Sequence, residues 1–178
     1  RSQMPRFLNR VSMCSSLVGS SNTRTWISYS ALSTSSPAHD ITLDIMGDGT
    51  EGEYLEAKRE LLTHADRVEF LGILDDYEDV LGHMRAADVF ASQSTREGFG
   101  ITFIEAMTAD CTVIAANHLD SAADEVVDDA GFLVDPTVES LAETLDDARR
   151  GERSPTNPVE HAQRYDWDTV VEQAETTN

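Results

Sequence analysis

The chain has 178 residues, of which 13 are Lys or Arg and 33 are Asp or Glu, for a formal net charge of -20. So acidic a surface has little to set against phosphate, which excludes a nucleic-acid binder that works by phosphate neutralisation. No apolar run approaches the ~20 residues of a membrane span and none has the form of a secretory signal, while the length suffices for a domain with its own core.

Lys58 is the one lysine, against twelve arginines. An acidic, lysine-poor surface stays soluble where salt screens most repulsion, so a halophilic, cytoplasmic setting is expected. Cys14 and Cys111 lack disulfide or metal-ligand spacing, and His39, His64, His83, His118 and His161 are scattered. No metal and no cofactor are expected. The chain opens on Arg1 rather than Met, which reads as a fragment of something longer.

Residues 1–39 stand apart. They hold four arginines, eleven serines and no acid, whereas residues 40–178 hold nine basic and thirty-three acidic residues. No helical or strand period runs through the first segment. It reads either as a disordered, basic, Ser-rich leader or as a stretch translated in the wrong frame. In one alternative frame, with GC-biased codons, "TWISYSALSTSSP" becomes VDILFRALDELA, an acidic amphipathic helix. The domain proper is placed at 40–178.

From residue 40 strands and helices alternate. "ITLDIMG" (41–47) is a short apolar strand ending in the turn Gly47-Asp48-Gly49. "EYLEAKRELLTHA" has helical spacing, "RVEFLG" is a second strand and "YEDVLGHMRAA" a second helix. "DVFASQS" is a third strand, followed by a helix over about 101–109. "TVIAA", a short helix near 121–128, "GFLV" and the helix "VESLAETLDDARR" come next, with further helices expected at 158–164 and 167–176. This alternation predicts a Rossmann-like α/β fold, a parallel sheet with helices on both faces. Its ligand belongs at the carboxyl ends of the strands.

One such end carries "STREGFGITFIEAM", Ser94 to Met107. Gly98 and Gly100 allow a close backbone approach, and the helix after them points free N–H groups at whatever binds there, which suits a phosphate. Glu97 and Glu105, ionised, accept hydrogen bonds and repel phosphate, so they suit hydroxyls. A diphosphate flanked by hydroxyl-rich rings, a nucleotide sugar, meets both demands. On spacing alone, a helix cap at Glu97 and a solvated face at Glu105 fit equally well.

The stretch "EGFGITFIE" resembles the donor-binding Glu-x7-Glu motif of retaining glycosyltransferases of group 1 (family 4), and the similarity extends over most of 41–174. "MGDG", "DRVEFLGILDD", "AADVFASQSTREGFG", "IEAM", "AGFLVDP" and "YDWDTVVEQ" follow in the family's order. The resemblance implies the C-terminal half of a two-domain enzyme that takes a UDP- or GDP-sugar, without a metal. Glu97 would face the donor sugar and serve as the catalytic residue. The backbone of Gly98, Phe99, Gly100 and Ile101 would contact sugar and phosphate, and Glu105 the ribose. Ile73 and Leu74 would lie beside the base, with Gly47 and Gly49 bordering the cleft. The partner domain would be the N-terminal acceptor domain, and the whole enzyme could associate peripherally with a membrane.

The match also departs from the family. A Gly-Arg stretch and a Lys that bind the diphosphate have no counterpart in "LVGSSNTRTW", where Arg24 is a poor substitute. Asp110, Cys111 and Thr112 stand where Gly-Thr-Pro is usual, although Asp110 can still take a left-handed turn conformation at some cost. The usual glycine before Glu125 is missing. Beside the transferase, a non-catalytic binding remnant and, less favoured, a sugar-nucleotide epimerase remain open readings.

Overall fold

The computed structural model describes residues 10–14, 42–47, 52–62, 65–95 and 99–166. Among the described residues, six parallel strands form one sheet in the order β3-β2-β1-β4-β5-β6. They are β1 (Arg10–Cys14), β2 (Thr42–Met46), β3 (Val68–Gly72), β4 (Val89–Ser92), β5 (Thr112–Ala116) and β6 (Gly131–Val134). The helices are α1 (Gly52–Arg59), α2 (Tyr77–Ala86), α3 (Ile101–Thr108), α4 (Ala123–Val127), α5 (Val138–Arg149) and α6 (Pro158–Ala162). The fold is Rossmann-like.

Period-two alternation divides the core between the two faces. On one face Leu43, Ile45, Val68, Val89, Ala91 and Ile114 meet Leu55 of α1 and Leu141, Leu145 and Ala148 of α5. On the other, Phe90, Val113 and Ala115 meet Met84 of α2, Phe103, Ala106 and Met107 of α3, Val126 and Val127 of α4, and Ala162 of α6. Phe90 and Phe103 pack edge to face with centroids 6.3 Å apart. The buried carboxylate of Asp44 in β2 is met by His83 Nδ1 at 3.0 Å, which ties α2 to the sheet.

Two expectations need correction. The Ser-rich segment 1–39, through which no strand period runs and which is expected to lie outside the domain, supplies β1, which pairs with β2 on one side and β4 on the other. The sheet therefore does not begin at residue 40, and its centre comes from before that boundary. The reason is physical: a five-residue strand between two neighbours is held by its ladders and leaves little trace in local periodicity. The rest of 1–39, with both readings of it, lies outside the described residues. The helix expected over 53–65 ends at Arg59 instead, because Leu61 and Leu62 enter a turn closed by their amides on the carbonyls of Lys58 and Arg59. The helix expected at 167–176 also lies outside the described residues.

Candidate functional site

The strand order places the topological switch point between β1 and β4, since the connections after β1 run one way across the sheet and those after β4 run the other. The connection that leaves β4 at Ser92 leads into α3. Gln93, the first residue past β4, is buried, and its Nε2 has no hydrogen-bond partner among the described residues.

α3 begins differently from α2, α5 and α6. α2, α5 and α6 start on side-chain caps, in which Asp76, Thr137 and Asn157 accept from the amides of Glu78, Ser140 and Glu160. α3 starts on Gly100, in the left-handed region with φ 64° and no side-chain cap. The Gly100 carbonyl takes the amides of Phe103 and Ile104. The amides of Ile101 and Thr102 stand ahead of any intrahelical acceptor, so this helix end offers free donors and its positive dipole end.

Gly100 is required there for a second reason. A Cβ on it would lie 3.0–3.2 Å from the Val126 side chain of α4. Val126 is fixed in turn, because its carbonyl lies 3.0 Å from Nε2 of the buried His161 in α6. As a carbonyl only accepts, that nitrogen carries the proton. Tyr165 reinforces the link by donating to the Glu125 carbonyl at 3.1 Å. α4 and α6 thus form the backing of the α3 N-terminus.

Glu105 lies four residues into α3, about 6 Å along the axis from Ile101, and helix side chains lean back toward the N-terminus. Its Oε1 accepts a hydrogen bond from the Tyr77 hydroxyl, which reaches across from the start of α2. That bond, then burial and the charges of Glu105 and Glu78, pushes the Tyr77 phenol above its ordinary pKa of 10.0. Tyr77 escaped the reading of the sequence, because a partner 28 positions away has no local signature.

Ile73 and Leu74 lie in the connection between β3 and α2 that ends at Tyr77, with Ile73 exposed. Gly47 closes β2 with φ 115° and donates to the Gly72 carbonyl at 2.8 Å, joining the ends of β2 and β3. Phe99 and Ile101 are exposed beside the helix end. Glu97, Gly98 and Gly49 lie outside the described residues, as does Arg24. Of the expected site, the structure describes Gly47, Ile73, Leu74, Phe99, Gly100, Ile101 and Glu105, all on connections after β2, β3 and β4 or on the helix that follows.

A family model, Glycosyl transferases group 1, matches residues 27–165. The chain belongs to the group 1 glycosyltransferases. Among relatives of this glycosyltransferase family, the phosphatidyl-myo-inositol mannosyltransferase of Mycolicibacterium smegmatis is 35% identical over 141 residues, covering 75% of this chain and 35% of that protein. A D-inositol 3-phosphate glycosyltransferase of Salinispora tropica is 33% identical over 147 residues, covering 75% and 30%. The chain spans about a third of the length of these curated relatives. Among solved structures, Anabaena HepE in complex with UDP-glucose superposes with a TM-score of 0.73 at 27% identity, over 96% of this chain and 48% of that one. TarM superposes with a TM-score of 0.76 at 15% identity, over 98% of this chain and 36% of that one, a likeness of fold alone. No helix among the described residues is long and apolar enough to cross a membrane.

Proposed function

We propose that the chain is the donor-binding domain of a retaining glycosyltransferase that moves a hexose-type sugar from a UDP- or GDP-sugar to an acceptor held by a separate, N-terminal domain. The observation that carries this reading is the α3 N-terminus. It is a helix end without a side-chain cap, opened by a left-handed glycine at the carboxyl end of β4 beside the switch point. Free amides and a positive dipole end suit a diphosphate. Glu105, one turn further in, cannot approach phosphate without repulsion and takes the ribose hydroxyls instead. Ile73 and Leu74 flank the base, and Gly47 and Gly49 border the cleft.

Glu97 faces the donor sugar and supports positive charge developing at the anomeric carbon, while the backbone of Gly98, Phe99, Gly100 and Ile101 meets sugar and phosphate. Amides already aimed at the departing diphosphate stabilise its growing charge without reorganising. The site works without a metal, and the enzyme is cytoplasmic, suited to high salt and peripheral at the membrane. A relative with bound UDP-glucose and relatives named as mannosyltransferases support a hexose donor. The acidic, lysine-poor composition supports the setting.

One feature favours a second reading, a remnant that binds without transferring. The family's basic pair for the diphosphate has no counterpart in the sequence. Calorimetric titration of the chain with UDP-glucose and GDP-mannose in concentrated potassium chloride, with and without EDTA, tests the proposal. Binding of one of them, unaffected by EDTA, is expected. A folded sample that binds neither overturns it, and binding with no transfer by the complete enzyme favours the remnant.

A further inference from the structure

Tyr77 sits at the first position of α2, a helix whose N-terminus is already capped by Asp76. Tyr77 is 56% exposed, so it serves neither the cap nor the core. The one hydrogen bond of its hydroxyl among the described residues goes to Glu105 Oε1, on a different helix. An exposed tyrosine reaching across two helices to the carboxylate of the candidate site calls for a reason in the site itself.

We propose that Tyr77 is a positioning residue of the nucleoside subsite, holding the Glu105 carboxylate in the orientation that receives the ribose diol. The proposal rests on the reading of Glu105 as the ribose-binding group. A carboxylate has about four lone-pair positions on its two oxygens. The phenol takes one on Oε1, and Oε2 with the remaining positions stays free for two vicinal hydroxyls. A free glutamate on a helix face samples several rotamers, and ordering it on binding costs entropy. A hydroxyl that fixes the carboxylate beforehand removes part of that cost and strengthens binding without touching the ligand. The same residue ends the connection that carries Ile73 and Leu74. Tyr77 therefore couples the base side of the subsite to its ribose side.

The test is a double-mutant cycle on the full chain with Tyr77→Phe and Glu105→Gln, titrated by calorimetry with UDP and GDP and with their 2′,3′-dideoxy counterparts. Tyr77→Phe keeps the ring, and circular dichroism checks that each variant is folded. Tyr77→Phe is expected to weaken the ribonucleotide about five- to tenfold, the order of one hydrogen bond. It should leave the dideoxy affinity unchanged and add nothing in the Glu105→Gln background. Equal weakening of both ligands by Tyr77→Phe, or of neither, while Glu105→Gln still weakens the ribonucleotide alone, overturns the role of Tyr77 alone. A Glu105→Gln variant that keeps the wild-type preference for the ribonucleotide, or no binding by the wild-type chain, overturns the Glu105 reading and the Tyr77 role with it.

Discussion

Val126 fills the space behind Gly100. A methyl group added to Gly100 would meet both γ-carbons and the β-carbon of Val126 at 3.0–3.2 Å, on a backbone whose φ of 64° already disfavours it. The contact links a core helix directly to the helix end where the donor is proposed to bind.

Gly100→Ala should therefore cost about 1–2 kcal/mol from the left-handed backbone alone, with crowding added. Urea denaturation measures the total. Shortening Val126 to Ala in the same chain should recover the crowding part, so the two substitutions will be non-additive by about 0.5 kcal/mol or more. Simple additivity would show that only the backbone matters.

Gly131 opens β6 against a tighter surface. A Cβ there would lie 2.5 Å from Val127 Cγ1 and 2.7 Å from the Val113 carbonyl oxygen. Because the second neighbour is backbone in the adjacent strand, it has little freedom to yield. Gly131→Ala should destabilise by about 1–3 kcal/mol, in the range of an overpacked core. A thermal melt indistinguishable from wild type would contradict this.

Asp110 works in the opposite direction. The amides of Asp110 and Cys111 bond back to the carbonyls of Met107 and Ala106, ending α3 in a Schellman arrangement with Asp110 at φ 65°. Asp110→Gly should stabilise the chain by roughly 0.5–1 kcal/mol, since glycine takes this conformation without the side-chain penalty. Chemical denaturation at neutral pH checks the sign.

Cys111 predicts an alkaline dependence. Burial first, then the charges of Asp110 and Asp88, pushes its thiol from 9.0 up to about 12. Below pH 9 the thiol is neutral in both states and its contribution to stability is fully present. Between 9 and about 12 the unfolded chain releases the proton before the native one does, so stability falls as pH rises. Cys111→Ala should flatten the stability profile across that window relative to wild type, while Tyr77 and Tyr165, both raised as well, act equally in the two proteins.

Much of this architecture can be read from the sequence. "TVIAA" and "GFLV" are short apolar runs between turns, and they are the buried strand β5 and the half-buried edge strand β6. Asp110, standing where the family usually has glycine, takes the left-handed conformation that is open to it at some cost. β1 was hidden because its evidence is the ladders on either side, not its own five residues. The end of α1 is not legible in the sequence, because Leu61 and Leu62 keep the helical period while one is exposed and the other packs on the core. Gly100 and Glu105 were legible as a pattern of loop and helix. Tyr77, Val126 and His161 were not, since each reaches the site only through the packing of separate elements.

The central claim is that the free amides at the start of α3 receive the diphosphate of a nucleotide sugar. Amide hydrogen exchange of the chain, with and without saturating UDP-glucose or GDP-mannose, tests it most directly. The account predicts slowed exchange at Ile101 and Thr102, which have no intrahelical acceptor, with little change at Phe103 and Ile104, already bonded to the Gly100 carbonyl. Binding that leaves Ile101 and Thr102 exchanging as in the free chain would contradict it.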